Sequence, residues 1–311
     1  MKALDLSEQY FTEIAFPAMQ IEFPELVSRM ATGLVGNGSE CFGYDDEISR
    51  DHDWGVDFFI WLSENNREMI PRMAAFKNRL FEETPPEFKR ERSEYGAKIG
   101  VMTTDLFYKQ LIGFSEGPDG IKQWRMVPEE NLAMAVNGRV FYDGDGRFTK
   151  IRETLLQHYP EDLRRKKMAA RCMAIAQTGQ YNFIRMSRRY DWVTVQAVLT
   201  RFCDSAIGLV FLLNRTFRPF YKWAHRKLKE LPILGDRIGA LIYNLSLVQG
   251  FSPGPVQKRH EIIKTICEEL ASELRRQGLT RTDDWFFTSH AEELQKSIRD
   301  DFLSSLPTQY E

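Results

Sequence analysis

The sequence lacks the paired cysteines that would announce a zinc site or a disulfide framework. Its four, Cys41, Cys172, Cys203 and Cys267, have no Cys-x-x-Cys spacing, so reduced and mostly buried thiols are expected. It also lacks an excess of either charge: 42 Lys and Arg stand against 44 Asp and Glu, a net charge of −2. No global positive field draws the chain to a polynucleotide, and a nucleic-acid partner is not expected. Long hydrophobic runs are missing as well. The longest, Ala206–Leu213, falls far short of a membrane span and reads as a buried helix, so no membrane association is expected. Met1-Lys2-Ala3-Leu4-Asp5 turns acidic at once, without the apolar core and small-residue cleavage site of a secretory leader, and a cytoplasmic protein is expected. There is no internal repeat and no low-complexity segment.

What is present is a globular composition, 43% hydrophobic and 28% charged over 311 residues, sufficient for two domains. To about residue 150 helical and strand-like segments alternate. Residues 6–20, 23–31, 65–83 and 105–112 carry helical patterns, while 32–35, 56–62, 97–103 and 136–143 read as strands. Asn137-Gly138 supplies a turn before the last of these. From Thr149 onward nearly every segment has a 3.6-residue apolar period. Helices are expected at 161–177, 190–214, 219–230, 236–248, 256–277 and 289–304, with Gly179 among the separators. The expected fold is α+β: a mixed sheet with helices over residues 1–148, then an all-α helical bundle over 149–311.

Chemistry concentrates between residues 36 and 55. Gly36-Asn37-Gly38-Ser39 follows a short apolar segment, and Ser49-Arg50-Asp51-His52-Asp53-Trp54-Gly55 leads into Val56-Asp57-Phe58-Phe59-Ile60-Trp61-Leu62. Carboxylates at i and i+2 of an extended chain point to the same side. Asp51 and Asp53 could thus hold Mg²⁺ together, an ion that takes oxygen ligands and completes its shell with phosphate and water. Two such ions, roughly 4 Å apart, would clamp the attacking and leaving oxygens of a phosphoryl displacement; Mn²⁺ is the alternative ion. Gly38 lets the backbone approach a triphosphate, to which the Ser39 hydroxyl and nearby N–H groups can donate.

This segment resembles the active-site signature of the polymerase-β nucleotidyltransferase superfamily, a Gly-Ser turn after one strand and Asp-x-Asp opening the next. The string from Gly33 to Leu62 is similar to a bacterial nucleotidyltransferase-like family without an assigned substrate, the domain-of-unknown-function 4037 type. Further likeness runs through Asn137-Gly138-Arg139-Val140-Phe141-Tyr142-Asp143, Tyr159-Pro160-Glu161-Asp162, Gln180-Tyr181-Asn182 and Tyr221-Lys222-Trp223. The resemblance implies an NTP-binding domain followed by a bundle that helps hold the acceptor, as in aminoglycoside nucleotidyltransferases. The implied substrate is an NTP, and the implied acceptor a small molecule or a protein side chain.

The superfamily's third carboxylate has no obvious counterpart. Glu94, Asp105 and Asp143 flank the strand candidates, and strand-end or helix-cap roles are expected for them. His52 should face away from the acids by strand alternation, and Arg50 suits either a phosphate contact or a tie on the loop. Asp45, Asp46 and Glu47 read as solvated loop charges. The run Arg164-Arg165-Lys166-Lys167 with Arg171, Arg185, Arg188 and Arg189 reads first as a solvated basic face. Within it, Lys167 is the candidate for reaching the triphosphate. Asp143-Gly144-Asp145-Gly146 resembles a calcium loop, but its twelfth position is Thr154, so a turn is expected. Arg218 and His225 approximate the spacing of helical ribonucleases paired with nucleotidyltransferases in toxin–antitoxin systems, from which Pro219 departs. A nucleotide-binding, antitoxin-like protein without turnover is the competing functional class.

Overall fold

The computed structural model describes residues 2–48, 54–88 and 100–311. It forms two compact units, Met1–Gln157 and His158–Glu311. The candidate residues Arg50, Asp51, His52 and Asp53, with Ser49 and Glu94, lie outside the described residues.

The first unit is built on a mixed four-stranded sheet in the order β3-β2-β1-β4. The strands are β1 (Met30–Leu34), β2 (Phe59–Leu62), β3 (Val101–Thr103) and β4 (Arg139–Asp143). β1 runs antiparallel to β2 and to β4, and β2 runs parallel to β3. Helices cover both faces, which is why β2 reads as an unbroken apolar run rather than an alternating one. On one face Phe58, Ile60 and Leu62 join Tyr10, Phe11, Met19, Phe23 and Phe76 in a single core. These come from α1 (Ala3–Tyr10), α2 (Phe16–Glu22) with its preceding π turn, the Phe23 junction before α3 (Pro24–Val27), and α4 (Ile70–Glu83). The π turn over Phe11–Ala15 has a local cause: Pro17 offers no N–H at the start of α2, so the ladder shifts by one residue there.

On the opposite face Trp61 stacks on Phe148 at 4.0 Å between centroids and meets Phe107 edge-on at 5.0 Å. Phe107 belongs to α5 (Thr104–Ile112), which Thr103 caps by accepting from Leu106 N–H and which ends at Gly113 with φ +82°. The stretch 120–136, silent in the periodicity, forms α6 (Gly120–Met126) and α7 (Glu129–Val136). Phe148 opens the inward face of α8 (Arg147–Leu156). Asp143 starts that helix, accepting from Gly146 and Thr149 N–H at 3.0 and 2.8 Å; this is the capping role expected for it.

The second unit is helical throughout. Its helices are α9 (Glu161–Ile175), α10 (Phe183–Arg188), α11 (Trp192–Leu213), α12 (Tyr221–Leu228), α13 (Gly235–Leu247), α14 (Pro253–Arg276), α15 (Phe287–Lys296) and α16 (Asp301–Ser305). Gly179 does not separate helices as expected. It lies in a π turn, Ala176–Asn182, that joins α9 to α10, and a Cβ there would stand 2.3 Å from the Phe202 ring. The glycine therefore serves close helix packing. α11 is long and apolar enough to cross a membrane by length and composition. Arg201 and Asp204 break its apolar run in the sequence, and half of it is buried, against α9, α12, α13 and α14 among others.

The charge run of α9 is not a solvated face, contrary to the sequence expectation. Arg164, Lys166 and Lys167 are all buried. α9 packs between α11 and α15, so cations on either side reach acceptors at neighbouring helix ends. Arg164 donates to the Leu212 carbonyl at the end of α11 at 2.9 Å and to Glu161. Lys166 Nζ donates to Gln295 Oε1 at 2.7 Å and to the Leu306 and Pro307 carbonyls at 2.9 Å each. Replacing it strands those acceptors. Lys166→Met is expected to destabilise the unit by about 1–3 kcal/mol per acceptor left unsatisfied, read as a lower urea midpoint at unchanged slope.

Two buried histidines set a pH dependence. Burial, reinforced by Arg164, Arg215 and Lys167, pulls His158 down to about 3, and burial lowers His290 as well. Both stay neutral in the fold and gain a proton on unfolding. The stability this gives is complete above the unfolded value of 6.5 and is lost as pH falls toward 3. Glu161 adds nothing to the upper part of that window: although burial opposes it, the Arg164, Arg215 and Arg165 hydrogen bonds hold its carboxyl down at about 2. The urea midpoint of the wild-type chain should therefore fall between pH 7 and 5, and His158→Leu should flatten that slope.

Candidate functional site

The glycine-rich segment leaves β1 at Leu34 and turns at once. Gly36 and Gly38 have φ of +121° and +127°, a region that L side chains rarely adopt. A short 3₁₀ turn, Glu40–Phe42, follows, and the Ser39 carbonyl accepts from Phe42 and Tyr44 N–H at 3.2 and 2.8 Å. The Ser39 hydroxyl does not cap that turn. Among the described residues no hydrogen bond uses the N–H of Gly38 or Ser39. Gly36 is buried, Asn37 is exposed and Gly38, Ser39 and Glu40 are half-buried, so the loop meets solvent from Asn37 onward.

The loop is gripped from β4. Asn137 binds both backbone groups of Gly36: its Oδ1 accepts from Gly36 N–H at 2.8 Å and its Nδ2 donates to Gly36 C=O at 2.7 Å. Gly138 N–H donates to the Cys41 carbonyl at 2.7 Å. A Cβ on Gly138 would stand 1.9 Å from the Leu34 carbonyl oxygen. Asn137-Gly138 thus does more than turn the chain into β4; it pins the loop that leaves β1. From α8, half-buried Arg152 donates to the Asn137 and Gly138 carbonyls at 2.6 and 3.3 Å. The register between β1 and β4 shifts between Thr32 and Gly33, where a Cβ on Gly33 would lie 2.4 Å from the Arg139 carbonyl.

Sheet topology brings the start of β2 to the same end of the sheet. Gly33 pairs with Phe59, so the chain enters β2 at the end where β1 leaves. Before the strand, Asp57 accepts from Lys77 Nζ at 2.7 Å in a buried ion pair that Phe58 and Phe81 rings flank. Asp46 and Glu47 are exposed as expected, but Asp45 is buried. Its carboxylate accepts from Ala3 N–H at 2.9 Å and from Trp54 Nε1 at 3.1 Å. It therefore ties together the two ends of the segment that carries Asp51 and Asp53.

The described candidates for a third acid sit elsewhere. Asp143 pairs with Ala31, and Asp105 follows Thr103, whose partner Leu62 pairs with Met30. Both stand at the sheet end opposite the glycine loop. Asp143 caps α8 and Asp105 pairs with Arg147 at 2.8 Å. Sequence reading missed three residues at the loop itself: Asn137, Arg152 and Glu40. The Glu40 carboxylate lies so close to Gly38 that a Cβ there would be 2.6 Å from both oxygens. The signal for Asn137 was available in the likeness of Asn137-Gly138-Arg139; its partner was not, because residues 36 and 137 are joined only by the fold. In the helical unit Lys167 is buried, its ammonium 3.5 Å from Glu311 and 5.0 Å from the Tyr159 ring centroid. The pair Arg218 and His225 is separately engaged, with Asp204 at 2.8 Å and the Gly239 carbonyl at 3.1 Å.

Residues 124–224 match the model of the family described as a domain of unknown function, DUF4037. The DUF4037 match takes in Asn137, Arg152, Tyr159–Asp162, Gln180–Asn182 and Tyr221–Trp223, and stops short of Gly38 and the Asp51-x-Asp53 pair on the N-terminal side. Among solved structures the chain is similar to a nucleotidyltransferase-like protein from Exiguobacterium sibiricum. The identity is 12% over 94% of this chain and 79% of that one, with a TM-score of 0.38. No curated protein matches.

The clamp gives a direct test. Asn137→Ala removes two hydrogen bonds and should lower stability by about 1–3 kcal/mol. Gly138→Ala should destabilise more, since the Leu34 strand end must move to admit it. Chemical denaturation of both variants checks the order.

Proposed function

We propose that this protein is a Mg²⁺-dependent nucleotidyltransferase that moves a nucleoside monophosphate from an NTP to a hydroxyl of a small-molecule or protein acceptor. The observation that carries the reading is the Gly36–Ser39 loop. It is held by Asn137 at the end of β1 where β2 begins, and among the described residues no hydrogen bond uses the N–H of Gly38 or Ser39; Asp51-x-Asp53 precedes β2 in the sequence. Such N–H groups in a glycine-rich turn form a concave anion cradle.

In this reading Gly38, Ser39 and Arg50 bind phosphate oxygens, and Lys167 is a further candidate for that role. Asp51 and Asp53 supply the carboxylate oxygens that suit Mg²⁺, a hard cation. When bound, the metal would polarise the phosphates and neutralise charge on the leaving group. The chain's own work is positioning: the rigid loop fixes the triphosphate while the acceptor oxygen bonds to the α-phosphorus and the bond to pyrophosphate breaks.

The commitment of Asp105 and Asp143 to structural partners supports a second reading, a nucleotide-binding interaction protein without turnover. Pyrophosphate release from NTPs in the presence of cell extract separates the two. Mg²⁺-dependent release is expected, with Asp51→Asn and Asp53→Asn each lowering it at least a hundredfold, about 3 kcal/mol of barrier. NTP binding without release would favour the second reading. Release that survived both substitutions together would sink the first.

A further inference from the structure

The hairpin made by α10 and the start of α11 gathers charge of one sign. Residues 176–203 carry four arginines and a single acid, Asp191. Asp191 caps α11, its carboxylate accepting from Thr194 N–H at 3.1 Å. Unlike the basic run of α9, Arg185, Arg188 and Arg189 are exposed. Tyr181, Arg185 and Arg188 follow one another at helical spacings of four and three, so they share one face, while Phe183 and Ser187 are buried on the other. Other exposed cations of this unit hold carboxylates: Arg215 pairs with Glu161, Arg237 with Glu269 and Arg276 with Glu273. Among the described residues Arg185, Arg188 and Arg189 make no ion pair, and the guanidinium groups of Arg188 and Arg189 make no hydrogen bond. Glu261 of α14, a helix that packs against α10, accepts from Gln257 instead.

Aromatic rings stand among these charges. Tyr181 is 45% exposed; Arg185 donates to its hydroxyl at 2.7 Å and lies 4.6 Å over its ring. Tyr190 follows α10 with φ +60°, a left-handed conformation rare for a bulky residue, and is 76% exposed. Its ring meets Trp192 edge-on at 5.8 Å, and Trp192 stacks on Phe251 at 5.0 Å. Tyr190 is thus the outer end of a short aromatic row beside a row of arginines.

That pairing selects among polyanions. An acidic polypeptide would engage the guanidinium groups and leave the rings idle, and a duplex keeps its base faces stacked away. A single strand offers phosphates and unstacked bases together. The Tyr190 hydroxyl makes no hydrogen bond among the described residues and can meet the ribose hydroxyl that DNA lacks. A net charge of −2 denies the chain a global positive field, but the fold segregates these arginines locally.

We propose that the hairpin face of Tyr181, Arg185, Arg188, Arg189 and Tyr190 binds single-stranded RNA, the guanidinium groups holding phosphates while the Tyr190 ring stacks on a base. The surface uses no residue of the glycine loop, Asp51-x-Asp53 or Lys167, so it stands whether or not the chain transfers nucleotides.

The test follows the fluorescence anisotropy of a short labelled oligouridylate titrated with the full chain, in EDTA and without NTP, over a series of KCl concentrations. Three phosphate contacts imply a slope of log K against log salt of about −2, at about −0.7 per contact on a single strand. Arg188→Gln with Arg189→Gln should bring it to about −0.7. Tyr190→Asn, which keeps a residue tolerant of positive φ, should weaken binding about tenfold at unchanged slope, as loss of one stacked base implies. The oligouridylate should bind more tightly than the matching deoxyuridylate oligomer, and Tyr190→Phe should remove that preference. Labelled polyglutamate should bind more weakly than either. Polyglutamate binding as tight as that of RNA, or a preference for DNA, overturns the proposal. So does a slope unmoved by the double arginine substitution. Unchanged thermal midpoints show that the variants fold; should Tyr190→Asn lower its midpoint, the double arginine variant and Tyr190→Phe decide.

Discussion

Two hydrogen bonds from the Asn137 side chain to one glycine organise the candidate site. A loop with φ above +120° at both Gly36 and Gly38 has given up the strand ladder, and its backbone groups need other partners. The Asn137 amide supplies a donor and an acceptor in one planar group, mimicking the strand partner that Gly36 has lost. Gly138 must be a glycine for the same reason of space, because β4 begins where the Leu34 carbonyl leaves no room for a Cβ. Arg152 then ties the far side of Asn137-Gly138 to α8, so the sheet, the loop and a helix on the opposite face are coupled through one short turn. A loop pinned in this way has already given up its conformational freedom, so the anion binding proposed for it would cost little further entropy.

Buried charge is handled differently in the two units. In the first, Asp57 and Lys77 form a compact buried pair just before β2. Asp45 is held instead by neutral donors, a backbone N–H and the Trp54 indole, with Lys2 at 3.6 Å. In the helical unit the cations of α9 find carbonyls at the ends of other helices, so charge takes part in packing. That arrangement is unforgiving, because each ammonium or guanidinium group satisfies several acceptors that no apolar replacement could reach.

Much of the architecture was legible in local pattern. The strand of Phe59–Leu62, the long apolar face of α11 and the uninterrupted helices after residue 160 follow from β-rich aromatics and 3.6-residue periodicity. Asp143 was legible as a cap because an acid before a helix start has an obvious partner in its first N–H groups. Other elements were hidden. α6 and α7 carry short, weakly periodic segments, and the π turn at Gly179 looks like a break until the Phe202 ring beside it is seen.

The sequence by itself determined where the glycine-serine turn and the pair of acids lie, on which the proposed phosphate chemistry rests: two glycines, a serine and two acids in fixed spacing are local facts. It also determined the succession of a mixed α/β part and a helical part, since both periods are local. Only tertiary structure decided that residue 137 grips residue 36, that Asp105 and Asp143 stand at the end of the sheet away from the glycine loop, and that Arg164, Lys166 and Lys167 are buried. Each of these depends on strand register or helix neighbours tens to more than a hundred residues away, and hydrogen bonds across such separations leave no period in the chain.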